Sequence, residues 1–315
     1  MTTSLRFISS PSAATRADLG VVIVSYNVSE LLRANLTSLF ASVGEGSVQV
    51  VVVDNASRDD SAKMVQAEFP QVELIANKHN AGFASAVNQG IAACHARHIL
   101  LLNPDMHLDT DSLAKTIAYA DRVQGDHVAV IGGQLRTQEG NTVMTVRRFP
   151  DFWSQLAIIL KLPHFFPNLS VIKKYYQSDL DYTKDQDVDS VRGSYFIITE
   201  LAREVLGVLD TRYFIWFEEV DYCKGAISQG WKVRYAPELK ALDYVGRSFQ
   251  QTTRTWAQVQ FTRSLVTYFS KWHSPTEARV LALVRLLGIS LNWCLDRFRS
   301  LTRKSIGINP TAKRS

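Results

Sequence analysis

Three observations predict an α/β fold with a mostly parallel, doubly wound sheet and a C-terminal amphipathic helical extension. Short, nearly all-apolar runs recur through the first half of the 315-residue chain, each ending in polar residues. Such runs suit strands covered on both faces, as parallel strands are. The segments between them carry apolar residues at helical spacing, and regular alternation of the two patterns is the mark of βαβ units.

Residues 20–27 (GVVIVSYN) read as the first strand, and 29–43 as a helix carrying Leu31, Leu32, Leu36, Leu39 and Phe40. The run 48–55 (VQVVVVDN) stops at Asp54, after which Ser57 opens a helix with Met64, Val65 and Phe69. A strand at 72–76, a helix at 84–96 and a strand at 99–102 continue the plan, followed by a helix at 111–124 and a strand at 128–132. The strand at 99–102 runs into Asn103-Pro104-Asp105. Proline cannot donate to a sheet ladder, so pairing stops there and Asp105 projects from a strand end. After residue 140 the alternation breaks. Residues 149–187 are rich in aromatics, prolines and lysines and read as a mobile insertion beside the site. Strands are expected again at 188–199 and 231–237, with a helix over 219–229 after a buried aromatic strand, Tyr213 to Phe217.

Composition narrows the class further. A hydrophobic content of 46% supports a large core, and three widely spaced cysteines, Cys94, Cys223 and Cys294, fit a reducing cytosol better than a disulfide framework or a structural zinc site. Residues 1–19 lack the apolar stretch of a signal peptide and read as a disordered leader. The net charge of +5 hides an asymmetry: from Arg254 onward 11 basic residues face two acids, so the tail carries +9 and the remainder −4. Residues 279–298 are apolar but interrupted by Arg285, Asn292 and Asp296, too charged for a membrane span. The spacing predicts an interfacial helix with Leu281, Val284, Leu287, Leu291, Leu295 and Phe298 on one face, and Arg297, Arg299, Arg303 and Lys304 toward anionic headgroups; the alternative is a helix packed on the preceding domain. The chain thus divides into a leader (1–19), a main domain (20–253) and a basic helical extension (254–315). The tail offers apolar helix spacing and no stacking platform, which argues against nucleic acid as a partner. Self-association stays open.

Ligands of open α/β sheets bind beyond the carboxyl ends of the strands, where this chain places its polar segments. Ser25-Tyr26-Asn27 ends the first strand and Asp54-Asn55 the second. Asp54 can accept from a ribose or base, or close an Asx turn. No Gly-x-Gly-x-x-Gly lies near residues 20–30, which argues against a dehydrogenase. Asn80 and Gly82 stand at a helix start, where backbone amides suit a diphosphate or the asparagine simply caps. Asp105 beside such a pocket is a natural Mg²⁺ or Mn²⁺ ligand, since hard cations take carboxylate and phosphate oxygens together. Glu218, Glu219 and Asp221 are more acids than a helix N-terminus needs, and a desolvated carboxylate among them can serve as general base.

Seven segments, VVIVSYN, VVVDNASRD, NAGFASAVNQG, LLLNPD, VRGSYFIIT, FEEVDYC and GWKVRYAP, together resemble the inverting family 2 glycosyltransferases, particularly the rhamnosyltransferase-like branch, over about residues 20–250. The resemblance implies a GT-A (Rossmann-like) fold, a nucleotide-diphosphate sugar donor and Mg²⁺ or Mn²⁺. Carried over by position, Asp54 and Asn27 would contact the nucleoside, with Ser25 and Asn55 also among the donor-binding residues, and Asn80 and Gly82 would border the pyrophosphate. Asn103 and Asp105 stand at the Asp-x-Asp-type motif, with Asp105 facing the metal. Gly193 and Ser194 would line the donor sugar, Trp216, Glu218 and Trp231 would shape the acceptor side, and Glu219 would be the base. Two positions depart from the family: Glu219 stands where Asp is usual, and Asp243 where a His often assists the metal, making it a second candidate ligand. The basic, amphipathic tail suggests a lipid-linked saccharide acceptor, with residues 149–187 on the acceptor side, and the family context points the same way, toward surface polysaccharide or cell-wall synthesis. The enzyme would then sit peripherally on the cytoplasmic face of an anionic membrane. Two competing classes are a non-catalytic nucleotide-sugar or glycan-binding relative and a sugar nucleotidyltransferase. The latter would carry a glycine-rich triphosphate loop, which VVIVSYN is not.

Overall fold

The computed structural model describes residues 5–9, 16–244 and 253–305, with side chains of the last helix described to Ser290 and at Trp293. In chain order the elements begin β1 (Arg6–Phe7), β2 (Ala17–Ser25), α1 (Ser29–Phe40), β3 (Ser47–Asp54), α2 (Ser61–Glu68), β4 (Glu73–Ala76) and α3 (Phe83–Ala93). There follow β5 (Ala96–Leu102), β6 (Met106–Leu108), α4 (Ser112–Arg122), β7 (Val128–Arg136), β8 (Thr142–Val143) and β9 (Val146–Arg147). Three short helices, α5 (Phe152–Ile159), α6 (Leu162–Phe165) and α7 (Ser170–Tyr176), fill the insertion. The chain continues through β10 (Gln186–Asp187), β11 (Ser190–Val191), β12 (Tyr195–Ile198), α8 (Glu200–Leu206), α9 (Glu218–Ser228), β13 (Lys232–Asp243), α10 (Arg254–Trp272) and α11 (Pro275–Ser305). Two compact units emerge: Met1–Pro150 with Lys173–Gln250, and Asp151–Ile172 with Gln251–Ser315. The α5–α6 segment therefore groups with the tail and not with the sheet.

In the first unit the sheet runs β3-β2-β5-β12-β7-β13, with β1 and β4 along the outer edge of β3 and β10 and β6 along that of β13. β2, β3, β4 and β5 pair in parallel, as do β7 and β13. The four valines Val50 to Val53 form an unbroken apolar run because both faces of β3 are covered. Val50 and Val52 join the core with Leu32, Leu36 and Leu39 of α1, while Val51 and Val53 join the opposite layer with Val87 and Ile91 of α3. Full burial of each such side chain contributes about 1.5–3 kcal/mol.

Between the parallel strands β5 and β7 lies antiparallel β12, in register as Tyr195 with Leu102 and Phe196 with Gly132. Antiparallel entry is what matters for the site: the residues just before β12 arrive at the carboxyl end of β5.

Several expectations shift. Leu5 is buried and Arg6–Phe7 pairs with β3, so part of the expected leader is structured; residues 1–4 and 10–15 lie outside the described residues. The second helix starts at Ser61 because residues 57–60 are taken up in turns: Ser57 N donates to Asp54 Oδ2 (3.0 Å), and Asp59 accepts from Ser29 N (2.9 Å) and Ser61 N (3.1 Å). The strand expected over 188–199 is two pieces, β11 joining β9 in a separate ribbon and β12 the main sheet. The aromatic run Tyr213 to Phe217 is a series of bends and no strand, with Trp216 and Phe217 both at positive φ (64° and 73°).

In the second unit α10 is capped by Thr253, whose Oγ1 accepts from Trp256 N (3.1 Å). Before α11, Ser274 and Glu277 form a capping box and Pro275 takes the first helical turn. Leu281 is fully buried, and Gly288 lies so close to Ile159 of α5 that a Cβ would meet it at 2.8 Å. The exposed apolar stripe is instead Leu283, Leu286, Leu287 and Trp293, rotated from the expected face; Leu291, Leu295, Phe298 and the basic run at 297–304 have side chains outside those described. Among the described residues no helix is long and apolar enough to cross a membrane.

Candidate active site

The carboxyl ends of β2, β3 and β5 bring the sequence-predicted residues to one edge of the sheet. Ser25 and Asp54 are register partners across β2 and β3, both buried. Asp54 Oδ2 accepts from Ser57 N, three residues on, which holds the turn after β3, while its Oδ1 and the neighbouring Ser25 Oγ have no hydrogen-bond partner among the described residues. Orphaned polar atoms side by side in a buried strand end are costly unless something binds them. They fit the donor-and-acceptor edge of a nucleoside.

The amides behave differently. Asn27, at φ 56°, spans two loops: its N–H donates to Ser57 Oγ (2.9 Å) and its Oδ1 accepts from Arg58 N (2.6 Å). Asn55 Nδ2 donates to Asn80 Oδ1 (3.0 Å) and Gly82 O (3.2 Å), while its Oδ1 accepts from Asn77 Nδ2 (3.1 Å) and Ala81 N (3.0 Å). Asn80 Oδ1 also accepts from Gly82 N (2.9 Å), an Asx turn ahead of α3 in place of a cap. Gly82, at φ 86°, is required for another reason: a Cβ there would strike Phe214 O at 2.8 Å. Phe83 N donates to that same carbonyl (2.7 Å), which ties the start of α3 to the bends before α9.

At the end of β5 the Asn103-Pro104-Asp105 turn is held from three sides. Asn103 N donates to Ser194 O (3.1 Å) and Asn103 Nδ2 to Ser194 Oγ (3.2 Å). From α1, buried Asn35 Nδ2 donates to Met106 O (2.7 Å) and Asn103 O (3.3 Å). Tyr244 N donates to Asp105 O (3.2 Å), and Asp243 is the register partner of Met106. Asp105 and Asp243 are thus buried carboxylates on adjoining strand ends. Hard oxygen donors of this kind suit Mg²⁺ or Mn²⁺. Among the described residues no three His, Cys, Asp or Glu side chains gather to hold an ion.

The third component is α9. Glu218 and Glu219 open it after the two positive-φ residues, a strained turn of the kind that persists where surrounding structure imposes it. Glu218 Oε2 and Glu219 Oε2 have no hydrogen-bond partner among the described residues. Burial, and then the adjacent Glu219 charge, push the Glu218 carboxyl well above its ordinary range. Burial raises Glu219 too, while its own backbone amide and the Arg192 guanidinium pull it back in part. Asp221 differs from both: its Oδ1 accepts from Tyr213 OH (3.0 Å) and anchors the bends.

Residues 192–194 join these parts. At Gly193 a Cβ would lie 3.7 Å from Glu219 Cβ, so the backbone runs directly beside the expected base. The next residue, Ser194, holds Asn103. Arg192 Nη1 donates to Asp243 Oδ2 at 3.2 Å. Trp231 does not belong here: it sits at the amino end of β13 against His127 (ring centroids 5.4 Å), the far end of that strand from Asp243. Its place is fixed by Trp231 N donating to Ala226 O (3.1 Å) as α9 turns into β13. Sequence reading passed over Asn35 and Arg192. The signal for Asn35 was present, a polar residue between Leu32 and Leu36 on the apolar face of α1; nothing local marks Arg192.

A profile for "Glycosyl transferase family 2" matches residues 20–183, more than half of the chain. The chain belongs to glycosyltransferase family 2. It is 25% identical to an N-acetylglucosaminyl-diphospho-decaprenol L-rhamnosyltransferase of Mycobacterium tuberculosis, over 73% of this chain and 77% of that protein. It is 23% identical to the rhamnosyltransferase WbbL of Escherichia coli K12, over 89% of this chain and 98% of WbbL. In fold it resembles the mannosyltransferase PcManGT of Pyrobaculum calidifontis, solved with GDP-Man and Mn²⁺, at TM-score 0.54 and 15% identity, over 96% of this chain and 79% of that one. The fold is GT-A, and the curated relatives of this family 2 chain include enzymes of the rhamnosyltransferase type.

Proposed function

We propose that this glycosyltransferase moves a sugar from a nucleoside diphosphate to a saccharide hydroxyl with inversion. The observation that carries the reading is the juxtaposition through residues 192–194 of an unsatisfied glutamate, Glu219, and the strand-end carboxylate turn at Asp105. Ser25 and Asp54 would bind the nucleoside edge, and the Asn55–Asn80 network would hold the loop that borders the diphosphate. Glu219 would take the proton from the acceptor hydroxyl as that oxygen attacks the anomeric carbon opposite the leaving group. Asp105 would hold a divalent cation, whose contribution when bound is Lewis-acid neutralisation of the leaving diphosphate. Inversion is tested by comparing the anomeric configuration of donor and product: opposite configurations are expected, and retention refutes the mechanism.

The rhamnosyl names of the relatives support dTDP-rhamnose as donor, and that of the Mycobacterium protein supports a lipid-linked acceptor. Membrane proximity is favoured by the second unit itself. Trp153, Phe165, Phe166, Leu283, Leu286, Leu287 and Trp293 are all exposed there, in the part of the chain that also carries the basic tail. Replacing Leu283, Leu286 and Leu287 by Ser should release the protein from sedimenting anionic vesicles; unchanged sedimentation refutes this face as the anchor.

A further inference from the structure

We propose that Arg192 recognises the diphosphate of the donor and that Asp243 serves to hold its guanidinium; the assignment rests on the glycosyl-transfer reading above. Arg192 is fixed at its backbone, where its N–H donates to Thr145 O (2.9 Å). Its side chain is 40% exposed, whereas the Asp243 carboxylate it meets at 3.2 Å is 1% exposed. A guanidinium carries five N–H donors in a planar fork, and the buried carboxylate takes one of them, at Nη1.

Two independent links place that fork beside the Asp105 turn. Along the chain, Ser194 follows two residues later and is hydrogen-bonded to Asn103 through both its carbonyl and its hydroxyl. Across the sheet, Asp243 faces Met106, the residue after Asp105. A planar cation at this point suits a phosphate, which it can engage bidentately. It also alters what Asp243 can do. A carboxylate already neutralised by a guanidinium is a poor second ligand for a cation, because the two positive charges would compete for it. The turn then offers a single metal-facing carboxylate, Asp105, and the positive charge that a second metal-binding group would have helped secure is supplied by Arg192.

The test is calorimetric titration of the full chain with dTDP and dTMP, in EDTA and in Mn²⁺, with UDP and UMP in parallel. Arg192→Gln should weaken diphosphate binding in EDTA about tenfold or more while changing monophosphate binding much less, the worth of a charged hydrogen bond. Arg192→Lys should recover part of the loss. Asp243→Asn should weaken diphosphate binding in EDTA yet keep the tightening produced by Mn²⁺. An unchanged diphosphate-to-monophosphate ratio in Arg192→Gln overturns the assignment, as does loss of the Mn²⁺ effect in Asp243→Asn, which would make Asp243 a metal ligand. If Arg192→Gln does not fold, the double variant Arg192→Gln/Asp243→Asn removes both charges and carries the same comparison. Failure of the unmodified protein to bind any of these nucleotides would instead refute the glycosyl-transfer reading, and the role of Arg192 with it.

Discussion

Two groups of polar residues at the candidate site are built on opposite principles. In the loops after β2, β3 and β4, the amides of Asn27, Asn55 and Asn80 spend their hydrogen-bonding capacity on one another and on backbone. On the side of α9, Glu218 and Glu219 are packed in with carboxylate oxygens that have no partner among the described residues. Satisfied groups fix loops in place, whereas each unsatisfied one costs free energy in the resting protein that a ligand binding there would recover. Polar residues at strand ends therefore divide into those that build the site and those that work in it. Residue type hints at the division: amides can donate and accept within a loop, while ionised carboxylates only accept.

The sharpest break of this contrast is Glu219→Gln. The substitution keeps shape and removes the proton acceptor, so turnover should fall by about 10²–10⁴-fold, with nucleotide affinity nearly unchanged by titration. In the unmodified enzyme, burial raises the Glu219 carboxyl above its ordinary range. The base works only when ionised, so turnover should be lost as pH falls through that raised value, earlier than an exposed glutamate would allow. A kcat profile flat down to the ordinary glutamate range would count against Glu219.

Next in size, and opposite in kind, is Asn55→Ala. Four hydrogen bonds converge on that amide. At about 1 kcal/mol each, their loss should lower stability to chemical denaturation by roughly 2–4 kcal/mol. It should also loosen the 77–82 loop, raising KM for the donor. If stability holds and only the donor KM changes, Asn55 contacts the ligand directly and the division drawn above fails at this residue.

How far the sequence reveals such a division depends on the range of the interaction. Strands β2, β3 and β5 are legible because both of their faces are covered and so their apolar runs are continuous, and the stop at Leu102 is legible because Pro104 forbids further pairing. Asp54 is legible as the polar end of such a run, and Glu219 as one of three acids at a helix start. The Asn35 anchor is only half so, as a misplaced polar residue on an apolar helix face. Arg192 and the separation of β11 from β12 are set by pairing with segments many residues away, which no local pattern encodes. Trp231 and the α11 face were misread for related reasons. Aromatic character does not say which end of a sheet a residue reaches, and a helix that is apolar around much of its circumference does not say which part of it is covered.

The smallest expected effect is also the one that separates building from working most cleanly. Ser25 is a register partner of Asp54 and fully buried, yet its Oγ has no partner among the described residues. Ser25→Ala removes no internal hydrogen bond and relieves one unsatisfied hydroxyl, so stability should stay level or rise by up to about 1 kcal/mol. If the hydroxyl meets the nucleoside, affinity for the nucleotide should fall severalfold in the same variant. Stability and affinity would then move in opposite directions, whereas in Asn55→Ala they fall together. A Ser25→Ala protein that loses stability instead would show that Ser25 is part of the framework, and the boundary between the two kinds of residue would have to be redrawn one strand further into the site.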